Sequence, residues 1–200
     1  MKREYSSETF SGIKWKNEQV AGYLLEDCEF ENCEFDGLSL QGCLFSGCVF
    51  RNCKLVGNRF QDCQAMNNLF EDCSLIGIDW AELIDERKRA MNFLPFEALV
   101  RCAVRHNVFF GMDMRRFDFS GCDLSGSYFD DCALPESKFC EAELQGTSFS
   151  HCNLTGADFR GARNYFFSLE SNQVKKAKFS LPEAVNLLAA IGIVIEDLPS

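Results

Sequence analysis

The stretch Asp27-Cys28-Glu29-Phe30-Glu31-Asn32-Cys33-Glu34-Phe35 repeats one five-residue pattern. In this pattern a small residue stands two positions before a central Phe or Leu, polar residues flank the centre, and Gly often stands two positions after it. A fixed period is the signature of a repeat architecture, so it has to be interpreted before any other feature of the chain.

The pattern continues in both directions from this stretch. Central positions recur every five residues from Phe10 to Trp80, slip between residues 81 and 93, and resume from Leu94 to Phe179. Eleven of the 12 cysteines stand two residues before a centre, and 13 of the 14 glycines stand two residues after one. Because two unrelated residue types obey one register, chance is a poor explanation of the pattern.

A period of five fits neither regular helix nor continuous strand. Five residues advance an α-helix by about 500°, which leaves successive centres about 140° apart. A strand alternates its faces every two residues. Within one five-residue word, however, the small and the large residue share a face, and Gly fits a corner that needs positive φ. The sequence therefore predicts very short strands joined by corners, coiled into a solenoid whose large apolar residues line the axis.

The words resemble those of the pentapeptide repeat family, whose A(D/N)LXX word is represented by Cys28-Glu29-Phe30, Cys122-Asp123-Leu124 and Ala157-Asp158-Phe159. The resemblance implies an all-β fold, a right-handed quadrilateral parallel β-helix with four words per coil. We expect this β-helix over residues 1–180, interrupted at 81–93, and a C-terminal capping or dimerisation segment over 181–200. In that segment Ser180 suits a helix cap, Gly192 suits the helix end, and 193–195 suits a short strand.

The cysteines are interpreted as small core residues. The beginning of the sequence has no apolar signal segment, and no run of about 18 apolar residues occurs, so we expect a cytoplasmic protein with no membrane association. A zinc site is the alternative, but cysteines five residues apart on a strand ladder form a line of sulfurs instead of a tetrahedron. We therefore expect no metal and no cofactor.

The sequence contains no recognisable catalytic constellation. His106 and His151 fall at outward positions without a nucleophile nearby, and phosphate-loop, zinc-protease and hydrolase-elbow motifs are absent. We therefore expect no enzymatic activity. The formal net charge of −10 disfavours direct nucleic-acid binding and suits a partner with a basic groove.

Acidic side chains at outward positions are the first candidate binding residues. We expect some charges to be neutralised by residues one coil away, such as Glu31, Arg51 and Glu71, whereas Asp123 and Glu143 should stack as like charges. The candidate acidic residues are Glu26, Asp27, Glu29, Glu31, Glu34, Asp36, Asp123, Asp130, Asp131, Glu141 and Glu143.

The segment 81–93 is the one long departure from the repeat. It is expected to bulge from the rod, and Arg87, Lys88 and Arg89 are either a contact point or part of an ordinary solvated loop or helical turn. Arg101, Arg105, Arg115 and Arg116 also stand at outward positions, so the middle of the rod should be basic.

The ending Ser180-Leu-Pro-Glu-Ala-Val-Asn-Leu-Leu, followed by Ile191-Gly-Ile-Val-Ile, resembles that of the Qnr-type quinolone-resistance and the microcin- and albicidin-immunity proteins. This resemblance implies a homodimer and a DNA-mimicking rod that binds type II topoisomerase, either DNA gyrase or topoisomerase IV, with protection from poisons such as quinolones. The alternatives are a plain structural or scaffolding solenoid and a terminal segment that only caps the last coil. Candidate dimer contacts are Leu181, Val185, Leu188, Ile191, Ile193 and Ile195.

Overall fold

The computed structural model describes residues 3–194, which form a quadrilateral parallel β-helix. Phe10, Phe30, Phe50 and Phe70 are direct partners in one parallel ladder, so a coil takes twenty residues and four words. This register confirms the predicted solenoid. Short strands alternate with corners, because only three to five residues are extended before the chain turns.

The strands stack into four walls, numbered in the order in which the chain meets them. Wall 1 contains β1 (Arg3–Ser6), β5 (Tyr23–Glu26), β9 (Leu44–Ser46) and β13 (Gln64–Met66). Wall 2 contains β2 (Thr9–Ser11), β6 (Glu29–Glu31), β10 (Val49–Arg51), β14 (Asn68–Glu71) and β16 (Phe96–Val100). Wall 3 contains β3 (Lys14–Lys16), β7 (Glu34–Asp36), β11 (Lys54–Val56), β15 (Ser74–Ile76) and β17 (Ala103–Arg105).

Wall 4 contains two sheets that meet where Asp79 pairs with Val108. The first sheet contains β4 (Gln19–Ala21), β8 (Ser39–Gln41) and β12 (Arg59–Gln61). The second contains β18 (Val108–Phe110), β19 (Tyr128–Asp130) and β20 (Ser148–Ser150). Beyond residue 110, walls 1 to 3 continue as single bridges such as Asp118 to Lys138 and Asp123 to Glu143.

The small residue before each centre ties neighbouring coils together. All twelve cysteines are free thiols; the eleven in this position are buried, as predicted, and Cys140 is half-buried. Their thiols donate to carbonyls of the preceding coil, as Cys53 Sγ does to Phe30 at 3.3 Å. Asn58 fills the same position with a stronger donor, since its Nδ2 lies 3.0 Å from the Phe35 carbonyl. These side chains satisfy corner groups that would otherwise be buried without partners.

The two halves of the rod turn their corners differently. In the C-terminal half, most corners are closed by a hydrogen bond across the turn, such as Phe117 N to Met114 O and Cys122 N to Phe119 O, both at 3.1 Å. In the N-terminal half the corners lack this bond, and strands of three or four residues run between them. Both kinds of corner need a left-handed residue, which Gly provides without steric cost at positions such as Gly121 (φ +70°).

The segment 81–93 is only partly a bulge. A 3₁₀ helix (Ala81–Leu83) buries Leu83 and is followed by the helix α1 (Glu86–Ala90), which is capped by Asp85. Beyond it, a register shift between β14 and β16 turns Phe96 into the core and leaves Glu97 exposed. Leu99 then pairs with Phe70, and the ladder resumes. The expectation that the segment bulges from the rod was therefore wrong for Leu83 and Ile84, which are buried.

The C-terminal segment contains the predicted helix, α2 (Val185–Ala190), but neither the predicted cap nor the predicted strand among the described residues. Ser180 Oγ accepts a hydrogen bond from Gly161 N at 2.9 Å, so it anchors the segment to the last coils instead of capping α2. Ile193 N donates to the Leu188 carbonyl at 3.0 Å, which extends the helical turn past Gly192 and prevents a strand at 193–194. Ile195 lies outside the described residues.

Candidate functional site

The first six candidate carboxylates all lie on one coil but face three directions. Glu26 is on wall 1, Glu29 and Glu31 are on wall 2, Glu34 and Asp36 are on wall 3. Asp27 stands at the corner between walls 1 and 2, in the left-handed conformation (φ 52°). The structure therefore brings these residues together as a band around the rod, and no single wall presents them all.

Cations on neighbouring coils neutralise half of this band. Glu34 lies 3.2 Å from Lys14 and Asp36 lies 3.1 Å from Lys16. Glu29 lies 3.3 Å from Arg51. The predicted stack of Glu31, Arg51 and Glu71 is thus half right: Arg51 approaches Glu71 at 3.6 Å, but on its other side it reaches diagonally to Glu29.

Three carboxylates of the band have no cationic partner among residues 3–194. These residues, Glu26, Asp27 and Glu31, are here called the acidic edge: Glu26 and Asp27 lie at the corner between walls 1 and 2, and Glu31 lies at the other end of the same wall 2 strand, beside the corner at Asn32. Glu26 and Asp27 are exposed, and Glu31 is half-buried. The acidic edge is the densest group of uncompensated negative charge in the candidate set.

The second group of candidate carboxylates is four to five coils farther along the rod, about 20–25 Å away. Asp123 and Glu143 are ladder partners on wall 3, as predicted, but each has its own cation, Arg105 for Asp123 and Arg163, at 3.6 Å, for Glu143. Burial raises the pKa of Asp123, but hydrogen bonds from Ser125 and Arg105 outweigh it and lower the pKa below its ordinary value.

The remaining three candidates lie around other corners. Asp130 is on wall 4 and lies 3.3 Å from His151 Nδ1. Asp131 and Glu141 stand at two different corners in the left-handed conformation and have no cationic partner in the described chain. The second group therefore forms no continuous acidic row.

The basic residues in the middle of the rod are used within the chain. Lys88 Nζ donates to Gln64 Oε1 at 2.6 Å, and Arg89 Nη2 donates to the Ala81 carbonyl at 2.9 Å, whereas Arg87 is exposed. The four arginines predicted to add positive charge are each paired with carboxylates: Arg101 with Glu71 and Asp72, Arg105 with Asp123, Arg115 with Asp113, and Arg116 with Glu136. Among the candidate contacts of this segment, Arg87 is therefore the most available.

The C-terminal segment covers the last coil with one side chain. Leu187 is 4% exposed and is the buried residue of α2. The candidate dimer residues Leu181 (79% exposed), Ile191 and Ile193 face solvent, together with Val194, while Val185 and Leu188 are half-buried. Leu187 was not among the predicted residues. It fits the capping role of this segment, whereas the exposed apolar side chains stay uncovered and fit the dimer role, so the two roles use different residues.

Wall 4 carries an aromatic patch that sequence reasoning missed. Phe110 and Tyr128 are 44% and 55% exposed, and they line a shallow depression of about 430 Å³ together with Asp79 and Asp130. The signal was available in the sequence, because Phe110 and Tyr128 are aromatic residues that stand directly beside a centre, at an outward position of the pattern. Neighbouring aromatic side chains at outward positions are typical of protein interfaces.

Two family models match this sequence: the pentapeptide repeat region model matches residues 24–87, and the model of pentapeptide repeats in eight copies matches residues 136–163. Both halves of the chain therefore contain pentapeptide repeats. No curated protein matches its sequence. No helix among residues 3–194 of this pentapeptide repeat protein is long and apolar enough to cross a membrane.

Solved pentapeptide repeat structures resemble this chain. HetL, involved in heterocyst differentiation regulation in the cyanobacterium Nostoc sp. strain PCC 7120, is 15% identical over 88% of this chain and 87% of its own, with a TM-score of 0.52. QnrB1, a plasmid-mediated fluoroquinolone resistance protein, is 14% identical over 98% of both chains, with a TM-score of 0.45. At these identities the likeness to HetL supports the fold of this pentapeptide repeat protein and leaves its partner open.

Proposed function

We propose that this protein binds a type II topoisomerase, DNA gyrase or topoisomerase IV, at the surface that normally holds DNA, and thereby protects the enzyme from poisons such as quinolones or inhibits it. The observation that carries the proposal is the acidic edge of Glu26, Asp27 and Glu31, which has no compensating cation in the described chain. The resemblance of the C-terminal ending to the Qnr-type proteins supports the choice of enzyme.

Charge density makes the acidic edge suitable as a substitute for DNA. Duplex DNA carries about one negative charge per 1.7 Å, which is roughly three charges over the height of about 4.8 Å that one coil occupies. The acidic edge presents three carboxylates on one coil, whereas Arg51, Lys14 and Lys16 neutralise the carboxylates beside it. The mimicry proposed here is therefore local, and most of the rod contributes shape and rigidity.

The C-terminal segment is proposed to pair two copies. Leu181, Ile191, Ile193 and Val194 form an exposed apolar surface around α2, and burying such side chains between two copies stabilises a dimer by roughly 1.5–3 kcal/mol per side chain. A dimer formed at this end would place one acidic edge at each end of a rod of doubled length.

A gyrase supercoiling assay, run with and without a fluoroquinolone, tests the proposed partner. Micromolar protein is expected to reduce supercoiling or to restore it in the presence of the drug. The variant Glu26→Gln, Asp27→Asn, Glu31→Gln is expected to lose this effect, because it removes the three uncompensated charges and keeps a residue that tolerates the left-handed corner. The matched control is Glu18→Gln, Asp62→Asn, Glu170→Gln, which removes three exposed carboxylates elsewhere and should retain the effect.

The aromatic patch on wall 4 favours a second candidate function, a scaffold that binds another protein through a flat wall. Under the first proposal, Phe110→Ser with Tyr128→Ser leaves the gyrase effect unchanged. Loss of the effect in this variant, but not in the acidic-edge variant, would place the binding surface on wall 4. If the unmodified protein has no effect on gyrase or topoisomerase IV at all, the scaffold is the better explanation.

A further inference from the structure

The axis of the rod is filled in one half and hollow in the other. From Val104 to Phe159 every central side chain is at most 3% exposed. In the N-terminal half, Phe35, Phe45, Leu55 and Phe60 are only half-buried, although each is the centre of a word within the rod. An inward side chain of a closed coil meets solvent only along the axis, so these residues border an internal space.

This space, here called the lumen, extends from Trp15 in the first coil to Trp80 in the fourth and has a volume of about 160 Å³. Its closed end is a cluster of large side chains, in which the Trp80 ring lies 5.7 Å from Phe70 and 5.0 Å from Phe96. Leu83, from the inserted segment, also lies at this end. The lumen therefore runs through the N-terminal coils and ends where the inserted segment begins.

The lining of the lumen is apolar in its chemistry. Apart from its tyrosines and tryptophans, the polar lining residues are Asn58 and Asn68, whose amides are already bonded to backbone groups of neighbouring words. Among the residues that the structure describes, no carboxylate or cation lines the space. An apolar cavity of about 150 Å³ stays dry and binds benzene, so a lumen of this size and lining favours an apolar occupant over water.

The shape of the lumen selects the kind of occupant. Three coil spacings of about 4.8 Å make it roughly 14 Å long, so its volume is distributed along a narrow channel that suits an unbranched chain. At the first coil, Tyr5, Phe10 and Trp15 are half-buried and leave the mouth accessible among the described residues. Arg3 stands at this mouth with its guanidinium carbon 5.1 Å above the ring of Tyr23, and it has no carboxylate partner in residues 3–194.

We infer that the lumen binds the alkyl chain of a medium-chain fatty acid, whose carboxylate pairs with Arg3 at the mouth. The methylene groups fill the space that Phe45, Leu55 and Phe60 leave unpacked, and their removal from water favours binding. The guanidinium provides the charge complementarity that orients the chain with its methyl end toward Trp80. This site is independent of the outer walls and of the proposed topoisomerase partner.

The two tryptophans of the chain, Trp15 and Trp80, both line the lumen and report its occupancy. In a Trp15→Phe variant, a medium-chain fatty acid brominated on its terminal carbon is expected to quench the Trp80 emission saturably. The same acid brominated beside its carboxylate should quench Trp80 much less and should quench Trp15 in the unmodified protein. Absence of saturable quenching by either acid would overturn the inference.

Filling variants distinguish the lumen from binding to the outside. Leu55→Phe and, separately, Ala65→Leu enlarge inward side chains and should weaken binding roughly tenfold or more, because they occupy the channel. Val56→Leu enlarges an outward side chain on the same strand and serves as the matched control. Equal affinity in all three variants refutes the site.

The headgroup is tested separately. Arg3→Gln should weaken binding of the fatty acid and leave binding of the alcohol with the same chain unchanged. Identical behaviour of the acid and the alcohol in both proteins would refute the pairing with Arg3.

Discussion

Asn68 provides the sharpest test of how the coils are held together. Its side chain is 1% exposed and forms three hydrogen bonds to backbone groups. Oδ1 accepts from Cys48 N at 2.9 Å, and Nδ2 donates to the carbonyls of Phe45 at 3.0 Å and Pro95 at 2.8 Å. One amide therefore joins the third coil, the fourth coil and the chain that returns from the inserted segment.

The cost of Asn68→Ala follows from these contacts. The buried Cys48 N–H loses its acceptor, which costs about 1–3 kcal/mol, and two carbonyls each lose a bond with a net value of about 0.5–1.5 kcal/mol. The expected loss of unfolding free energy is therefore about 2–6 kcal/mol. Asn68→Cys should cost about half as much, because a sulfur at this position still accepts from the backbone, as Cys53 Sγ does from Cys33 N at 3.4 Å.

Urea unfolding followed by tryptophan fluorescence measures both variants, and a lower midpoint at an unchanged slope identifies a loss of stability. Asn186→Ala is the matched control, since that exposed side chain of α2 bonds only to Glu183 among the described residues and should change stability by less than about 0.5 kcal/mol. Equal losses for Asn68→Ala and Asn68→Cys would refute the reasoning, because the hydrogen-bonding capacity of the side chain would then be irrelevant.

Three further predictions concern corners, charge and assembly. Gly121→Ala should cost about 1–2 kcal/mol in urea unfolding although nothing lies within 4 Å of the added carbon, because φ is +70°; an unchanged midpoint contradicts this. Hydrogen bonds from Arg160 lower the pKa of Asp158 to about 2, below its ordinary 3.8. The ionised carboxylate therefore adds about 2 kcal/mol to the free energy of unfolding above pH 4, and this contribution is lost as the pH falls toward 2. Asp158→Asn should make the free energy of unfolding less dependent on pH over that range. Leu181→Asp with Ile193→Asp should convert the proposed dimer to monomer in sedimentation, because each places a charge in the proposed apolar contact, and an unchanged mass would contradict that contact.

The fold was predictable because its rule is local. The five-residue period placed Phe30, Phe50 and Phe70 in one ladder and put the cysteines inside, and the structure confirms both. Each five-residue word forms its own strand and its own corner, so a wrong structural assignment of one word does not change the assignment of the next. Only the inserted segment has no repeat to constrain it, and there the burial of Leu83 was missed.

The candidate site was less predictable, because side-chain contacts between coils are not simply vertical. Arg51 pairs with Glu29, which lies diagonally from it, and not with its ladder partner Glu31. Glu31 is therefore left without a cation, although stacking along the ladder predicted that it would be paired. In the aromatic patch, Phe110 follows the centre Phe109, whereas Tyr128 precedes the centre Phe129 on the next coil. The two side chains become neighbours only because the coils stack, which the sequence pattern alone does not show. The lumen likewise depends on coil width, which the pattern of residue types does not specify.

The direction of the ladder hydrogen bonds has a mechanical consequence. Strands of successive coils pair along the rod, so nearly all bonds between coils lie parallel to its axis. A force applied to the two ends therefore loads the four walls of one terminal coil at a time, and the chain should peel in steps. Each released coil of twenty residues lengthens the tether by roughly 65 Å, whereas traction across the rod has to shear many coils together.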